Sequence, residues 1–239
     1  MGDEPKVVKG KAARLRDGNP EPRVPCVLLV DDSESMKGDK TGQVKRGLEA
    51  LIEELLKNPQ AARRVEVAVV KFGGKVEVAQ DFVSPSEFKP PVLAADGDTP
   101  MGAAILRAYE LLEQRQARYE ASDLDSYGPW MFLVTDGEAT DSAEVLAQAA
   151  QRIRHGESQE RSKQVAFFAV GVDGANMERL AKIAAPKRPP LKLRGYDFPR
   201  MFQWLAVSLV QVSMSQVGDR VPLENPLAGS GNPLGWAQR

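Results

Sequence analysis

The stretch Cys26-Val27-Leu28-Leu29-Val30-Asp31-Asp32-Ser33-Glu34-Ser35 changes character at its midpoint. The apolar run from Cys26 to Val30 suits a strand buried on both faces, as at the centre of a parallel sheet. From Asp31 onward every residue is polar, so three carboxylates and two hydroxyls crowd onto one strand end. In open α/β sheets, ligands bind at that carboxyl edge.

Outward from this strand, short β-branched runs alternate with longer helical patterns. That rhythm arises where right-handed crossovers build a mostly parallel sheet. Val44, Leu48, Leu51, Ile52, Leu55 and Leu56 recur at helical spacing, and Asn58-Pro59 stops the pattern because proline lacks the amide donor. Residues 65–72 and 75–83 flank Gly73-Gly74, a two-residue turn able to take positive φ, and read as an antiparallel hairpin at one sheet edge. Helices are predicted over 100–119, 143–154 and 177–184, strands over 130–135 and 165–172, and a final short strand over 191–193; a last helix starts near Phe198. The fold class is therefore α/β: a doubly wound, mostly parallel central sheet with one antiparallel edge strand and helices on both faces.

The chain of 239 residues suits one core, which we place at 24–217 between a charged N-terminal extension, 1–23, and a Pro/Gly-rich tail, 218–239. The tail repeats a tripeptide, Asn225-Pro226-Leu227 and Asn232-Pro233-Leu234, and carries Trp236, an aromatic suited to anchoring a contact on the domain or on a partner. A 42% hydrophobic and 27% charged composition excludes disorder throughout. With a net charge of −1, the chain lacks the basic footprint of a nucleic-acid binder. Cys26, the single cysteine, excludes disulfides within the chain and reads as a small buried hydrophobe. The N-terminus lacks the apolar segment of a secretory signal, and polar residues such as Arg200, Gln203 and Gln211 interrupt the apolar stretch 198–217; a cytoplasmic location without a membrane span is expected. His155, the only histidine, leaves little material for triads or histidine metal sites.

Hydroxyls and carboxylates fall just past strand ends in three segments: Asp31-Asp32-Ser33-Glu34-Ser35, Asp98-Thr99-Pro100 and Thr135-Asp136-Gly137. Asp31-x-Ser33-x-Ser35, then Thr99, then Asp136 within Leu133-Val134-Thr135-Asp136-Gly137, resembles the metal-ion-dependent adhesion site of von Willebrand factor A-type domains. The resemblance spans roughly 24–217 and implies that Ser33, Ser35 and Thr99 ligate Mg²⁺ directly while Asp31 and Asp136 hold coordinated waters. Such a hydroxyl-rich oxygen shell suits a hard cation that keeps its waters. With few direct carboxylates, the ion retains positive charge and attracts an acidic side chain of a partner protein into the remaining position. Mn²⁺ or Ca²⁺ are the substitutes to consider.

Leu56-Lys57-Asn58-Pro59, Phe88-Lys89-Pro90-Pro91, the run Thr135-Asp136-Gly137-Glu138-Ala139-Thr140-Asp141 and Phe202-Gln203-Trp204 are similar to the bacterial tellurium-resistance-associated, TerY-type group. That similarity implies the company of a Ser/Thr protein kinase and a PP2C-type phosphatase, hence a scaffold in stress-response signalling. Glu34 and Asp98 depart from the family's glycines, and Asp32 adds a carboxylate; each is either a rim charge that raises cation affinity and repels an acidic ligand, or a solvated loop charge. Asp141 or Ser142 is a natural cap for the helix that follows. Two alternatives stand beside a non-enzymatic binding module. One is a Mg²⁺-dependent phosphohydrolase with Asp31 as nucleophile, although Ser33 occupies the place where the haloacid dehalogenase pattern has its second Asp. The other is a structural module with a vestigial metal site. No glycine-rich phosphate cradle with its Lys and Ser/Thr is present.

Overall fold

The computed structural model describes residues 15, 18–136, 138–195, 197–227 and 235–238. All eight residues of β1 (Val24–Asp31) are buried, as a strand covered on both faces requires. On one side it pairs in parallel with β2 (Val65–Gly73), and on the other with β4 (Trp130–Thr135). β2 turns at Gly74, whose φ is +63°, into the antiparallel edge strand β3 (Lys75–Val83). Beyond β4 follow β5 (Ala166–Gly171), β6 (Leu191–Leu193) and β7 (Ala237–Gln238), giving the order β3-β2-β1-β4-β5-β6-β7. The doubly wound, mostly parallel sheet expected from the sequence is thus present. The chain moves from β1 outward through β2 and β3 and then crosses to β4, so β1 and β4 flank the point where strand order reverses.

Alternate residues of β1 feed two cores. Cys26, Leu28 and Val30 face α1 (Asp39–Lys57) and α6 (Phe198–Met214), whereas Val27 and Leu29 face α3 (Met101–Ala121), α4 (Ala143–Ser158) and α5 (Met177–Ile183). Helices α1 and α6 approach closely because residue 47 is glycine: a Cβ there would lie 2.2 Å from Phe202 Cδ2. The helical pattern does break at Asn58, but the proline that breaks it also starts a new helix. Asn58 accepts from the Gln60 and Ala61 amides, and Pro59 opens α2 (Pro59–Arg64), where its missing N–H costs nothing.

One expectation changes at the far edge. The strand at 191–193 is not the last, because β7 pairs antiparallel with β6 through Lys192↔Gln238 and Leu193↔Ala237. Trp236 is 2% exposed and packs 5.7 Å from Trp204, whose indole N–H donates to the Glu224 carbonyl at 2.8 Å. The described tail residues therefore dock on their own domain; the second copy of the repeated tripeptide, 232–234, lies outside the described residues. Cys26 is fully buried, and burial pushes its thiol far up. His155 is exposed near the end of α4. Among the described residues no helix is long and apolar enough to cross a membrane.

At the amino-terminal end of the sheet lies a buried charge cluster. Glu66 on β2 accepts from Arg23 Nε (3.2 Å), Arg115 Nε (2.7 Å) and the Tyr119 hydroxyl. The Arg115 guanidinium also stacks over the Phe82 and Tyr119 rings at 5.6 and 5.4 Å.

Candidate metal-ion site

The carboxyl ends of β1 and β4 place Asp31 and Asp136 side by side, with Asp31 closing its strand and Asp136 directly following Thr135. Asp31 is 1% exposed; its Oδ1 accepts the Ser33 amide at 3.0 Å and its Oδ2 accepts the Thr135 hydroxyl. The Ser33 and Ser35 hydroxyl oxygens are 3.0 Å apart, and the Ser35 hydroxyl donates to Asp136 Oδ1 at 2.6 Å. Four of the five sequence-picked residues are thereby joined in one hydrogen-bonded chain. Burial pushes the Asp31 carboxyl above the usual carboxylate range; hydrogen bonds from Ser33 and Thr135 oppose this, and the nearby Asp136 charge adds to it.

Thr99 arrives differently. Among the described residues no hydrogen bond links its hydroxyl to the other four side chains; its segment is set beside them through the backbone. Asp96 donates its amide to the Asp32 carbonyl (2.8 Å), Glu34 donates to the Gly97 carbonyl (3.1 Å), and Gly74 donates to the Asp98 carbonyl (2.8 Å). Glycine makes this contact close enough: a Cβ at Gly97, whose φ is +75°, would lie 2.6 Å from the Gly74 Cα. On its other flank the Thr99 amide donates to the Thr140 hydroxyl at 3.2 Å, and the Thr140 amide donates back to the Thr99 carbonyl at 3.0 Å.

The two readings offered for Asp32, rim charge and solvated loop charge, are both overturned. Asp32 is 5% exposed, accepts the Ala95 amide at 2.7 Å and pairs with Lys71 at 3.4 Å, so its carboxylate holds the Thr99 loop rather than the rim. Glu34 is exposed and pairs with Lys37 at 2.9 Å, and Asp98 is also exposed. Ser142 caps α4 by accepting from Val145, while Asp141 serves a different helix and accepts the Gly102 and Ala103 amides at the start of α3. Gly137 lies outside the described residues.

Lys40 belongs to this site and was not anticipated. From the first turn of α1 its ammonium donates to Asp136 Oδ2, to the Ser35 carbonyl (3.2 Å) and to the Asp173 carbonyl (3.3 Å). A signal existed: a cation in the first helical turn opposes the helix dipole and calls for an anionic partner nearby. Among the described residues no cluster of three His, Cys, Asp or Glu side chains could hold a metal. The donor set at this edge consists instead of two carboxylates and neighbouring hydroxyls, which fits a hard cation, and the ammonium on Asp136 marks a position where positive charge is already accommodated.

A family model described as von Willebrand factor type A domain matches residues 26–198. The chain belongs to this family. Solved von Willebrand factor type A structures share its fold. The protein from Catenulispora acidiphila superposes with a TM-score of 0.60 at 17% identity, covering 80% of this chain and 43% of that one. The domain of the type V pili tip protein Mfa5 from Porphyromonas gingivalis gives 0.58 at 11% identity, covering 84% and 99%. Proximal thread matrix protein 1 from the mussel byssus, solved with a zinc-occupied MIDAS motif, gives 0.56 at 17% identity, covering 79% and 48%. The present chain thus spans less than half the length of the Catenulispora and mussel proteins. No curated protein matches it significantly. Von Willebrand factor type A domains commonly mediate protein–protein interaction, and some bind a metal at the adhesion site.

Proposed function

We propose that this von Willebrand factor type A domain is a Mg²⁺-dependent protein-interaction module that captures an acidic side chain of a partner protein. The observation that carries this reading is the hydrogen-bonded chain from Asp31 through Ser33 and Ser35 to Asp136, with Thr99 set beside it by the Asp32-pinned loop. Ser33, Ser35 and Thr99 would supply direct oxygen ligands, and Asp31 and Asp136 would hold coordinated waters, with Mn²⁺ or Ca²⁺ as substitutes for Mg²⁺. The bound ion supplies the residual positive charge that an incoming carboxylate needs.

The module is non-enzymatic in this proposal. Both oxygens of Asp31 already accept hydrogen bonds and the residue is 1% exposed, which suits a water-holding carboxylate better than a nucleophile attacking a phosphoester. Resemblance to the TerY-type group supports a cytoplasmic scaffold in a bacterial stress-response system such as tellurium resistance, with a Ser/Thr kinase and a PP2C-type phosphatase as candidate partners. The experiment is capture from lysate by the purified chain in Mg²⁺, in chelator, and with Asp31→Ala in Mg²⁺, the bound proteins identified by mass spectrometry. A partner retained only by wild type in Mg²⁺ supports the proposal. Identical partners in all three arms would move recognition away from the metal site.

A further inference from the structure

An ammonium group carries three N–H donors. In this structure those of Lys40 meet three oxygens from three separate loops: the Ser35 carbonyl after β1, Asp136 Oδ2 after β4 and the Asp173 carbonyl after β5. The pairing is partly withdrawn from water, with the Lys40 side chain 18% exposed and that of Asp136 1% exposed. This differs from an ordinary surface ion pair such as Lys37–Glu34, whose side chains are 58% and 72% exposed. Lys40 therefore fills the coordination role of a small cation, delivered by its own chain and tethered to α1.

We infer that Lys40 is a built-in competitor of the divalent ion, holding the adhesion site closed until metal displaces its ammonium from Asp136. The inference rests on the metal-ion reading given above and deepens it by assigning the site a regulator. The charges explain the competition. Asp31 and Asp136 bring two negative charges and Lys40 returns one positive charge, so the site without metal is not left with two uncompensated buried carboxylates. A divalent ion entering beside the seated ammonium meets like-charge repulsion and a carboxylate whose two oxygens are both engaged, one by Ser35 and one by Lys40. Loading the metal releases Lys40, and with it the clamp that ties the loops after β1, β4 and β5 together. The loops that rim the site are those freed to accommodate a partner.

The test uses the full chain and Mn²⁺ as the probe, with free ion counted by electron paramagnetic resonance, for wild type, Lys40→Met and Asp31→Ala. Lys40→Met keeps the aliphatic stem and removes the charge, and it should bind Mn²⁺ more tightly by about tenfold or more. Its melting temperature in chelator should fall below that of wild type and gain more from added Mn²⁺, since the ion then replaces a missing charge instead of displacing a resident one. Equal or weaker Mn²⁺ binding by Lys40→Met, with binding abolished by Asp31→Ala, would overturn the competition while leaving the metal site intact. Absence of Mn²⁺ binding in wild type and Lys40→Met alike would overturn both. Should Lys40→Met fail to fold, wild type labelled with ¹⁵N-lysine decides. A hydrogen-bonded ammonium signal that Mg²⁺ moves to the free-lysine position supports the competition, and a signal that Mg²⁺ leaves in place refutes it.

Discussion

Replacing Glu66 by Gln removes one charge from the buried cluster at the amino-terminal end of the sheet while changing its volume hardly at all. The carboxylate is shared by two guanidinium groups, with contacts of 3.2 Å to Arg23 Nε and of 2.7 Å to both Arg115 Nε and Nη2, and it also accepts the Tyr119 hydroxyl. Side-chain exposure is 5% for Glu66, 1% for Arg23 and 10% for Arg115, so water cannot take over as counter-charge. Removing one partner of a buried ion pair typically costs about 3–5 kcal/mol, because the remaining charge stays desolvated. For a chain of this size each kcal/mol moves the melting temperature by about 2–4 °C, so Glu66→Gln should melt roughly 6–20 °C lower. Differential scanning calorimetry and urea titration measure the loss, and Arg115→Met added to Glu66→Gln should recover part of it, since an unpaired guanidinium is then gone. A loss below about 1 kcal/mol would refute the premise that this cluster is dry and mutually dependent.

Three further outcomes are expected. The folded state raises the Asp31 carboxyl above its unfolded value, so the stability it contributes is fully present below the ordinary aspartate range and is lost as pH rises through the folded value. In chelator, wild type should therefore lose stability relative to Asp31→Asn as pH climbs from that range, and a pH-independent difference between the two would contradict the burial argument. Gly47→Ala should lower stability by about 1–2 kcal/mol, because overpacking against Phe202 outweighs the gain in helix propensity; an unchanged or raised urea midpoint would mean that α1 and α6 are not in tight contact. Trp236→Ala should cost about 3 kcal/mol, and an effect below about 1 kcal/mol would mean the tail does not dock as described.

The elements that were legible in the sequence are those whose signal is repeated along the chain. Cys26 to Val30 marks a two-faced strand because every residue is apolar, and Val44 to Leu55 marks a helix because each turn restates the same face. β7 is two residues long and has no period to read; only Trp236 announced that its segment would find a surface. Pro59 was visible as a break, but a local pattern does not distinguish a helix that ends at proline from one that restarts there with Asn58 as its cap.

The candidate site divides along the same physical line. Asp31 closes β1, and Ser33 and Ser35 follow in the tight 3-10 turn Glu34–Met36 that Ser33 precedes, so these three are neighbours by local chain geometry, and Asp136 joins them because a parallel neighbour strand ends at the same edge. What the sequence could not announce is where a charge goes when its partner is distant. The Asp32 carboxylate is committed to the amide of Ala95, in a loop whose approach to the Gly73-Gly74 turn depends on a missing Cβ at Gly97, and the Lys40 ammonium is committed to Asp136 and Asp173. These long-range commitments give each carboxylate a separate duty. Asp32 is used up in placing the Thr99 loop, Asp31 is held by its own strand end and by Thr135, and Asp136 is the one whose second oxygen is held by a group that can leave. In the proposed metal-dependent switch the contested carboxylate is therefore that of Asp136, and the residue that sets the threshold is Lys40, in the first turn of α1.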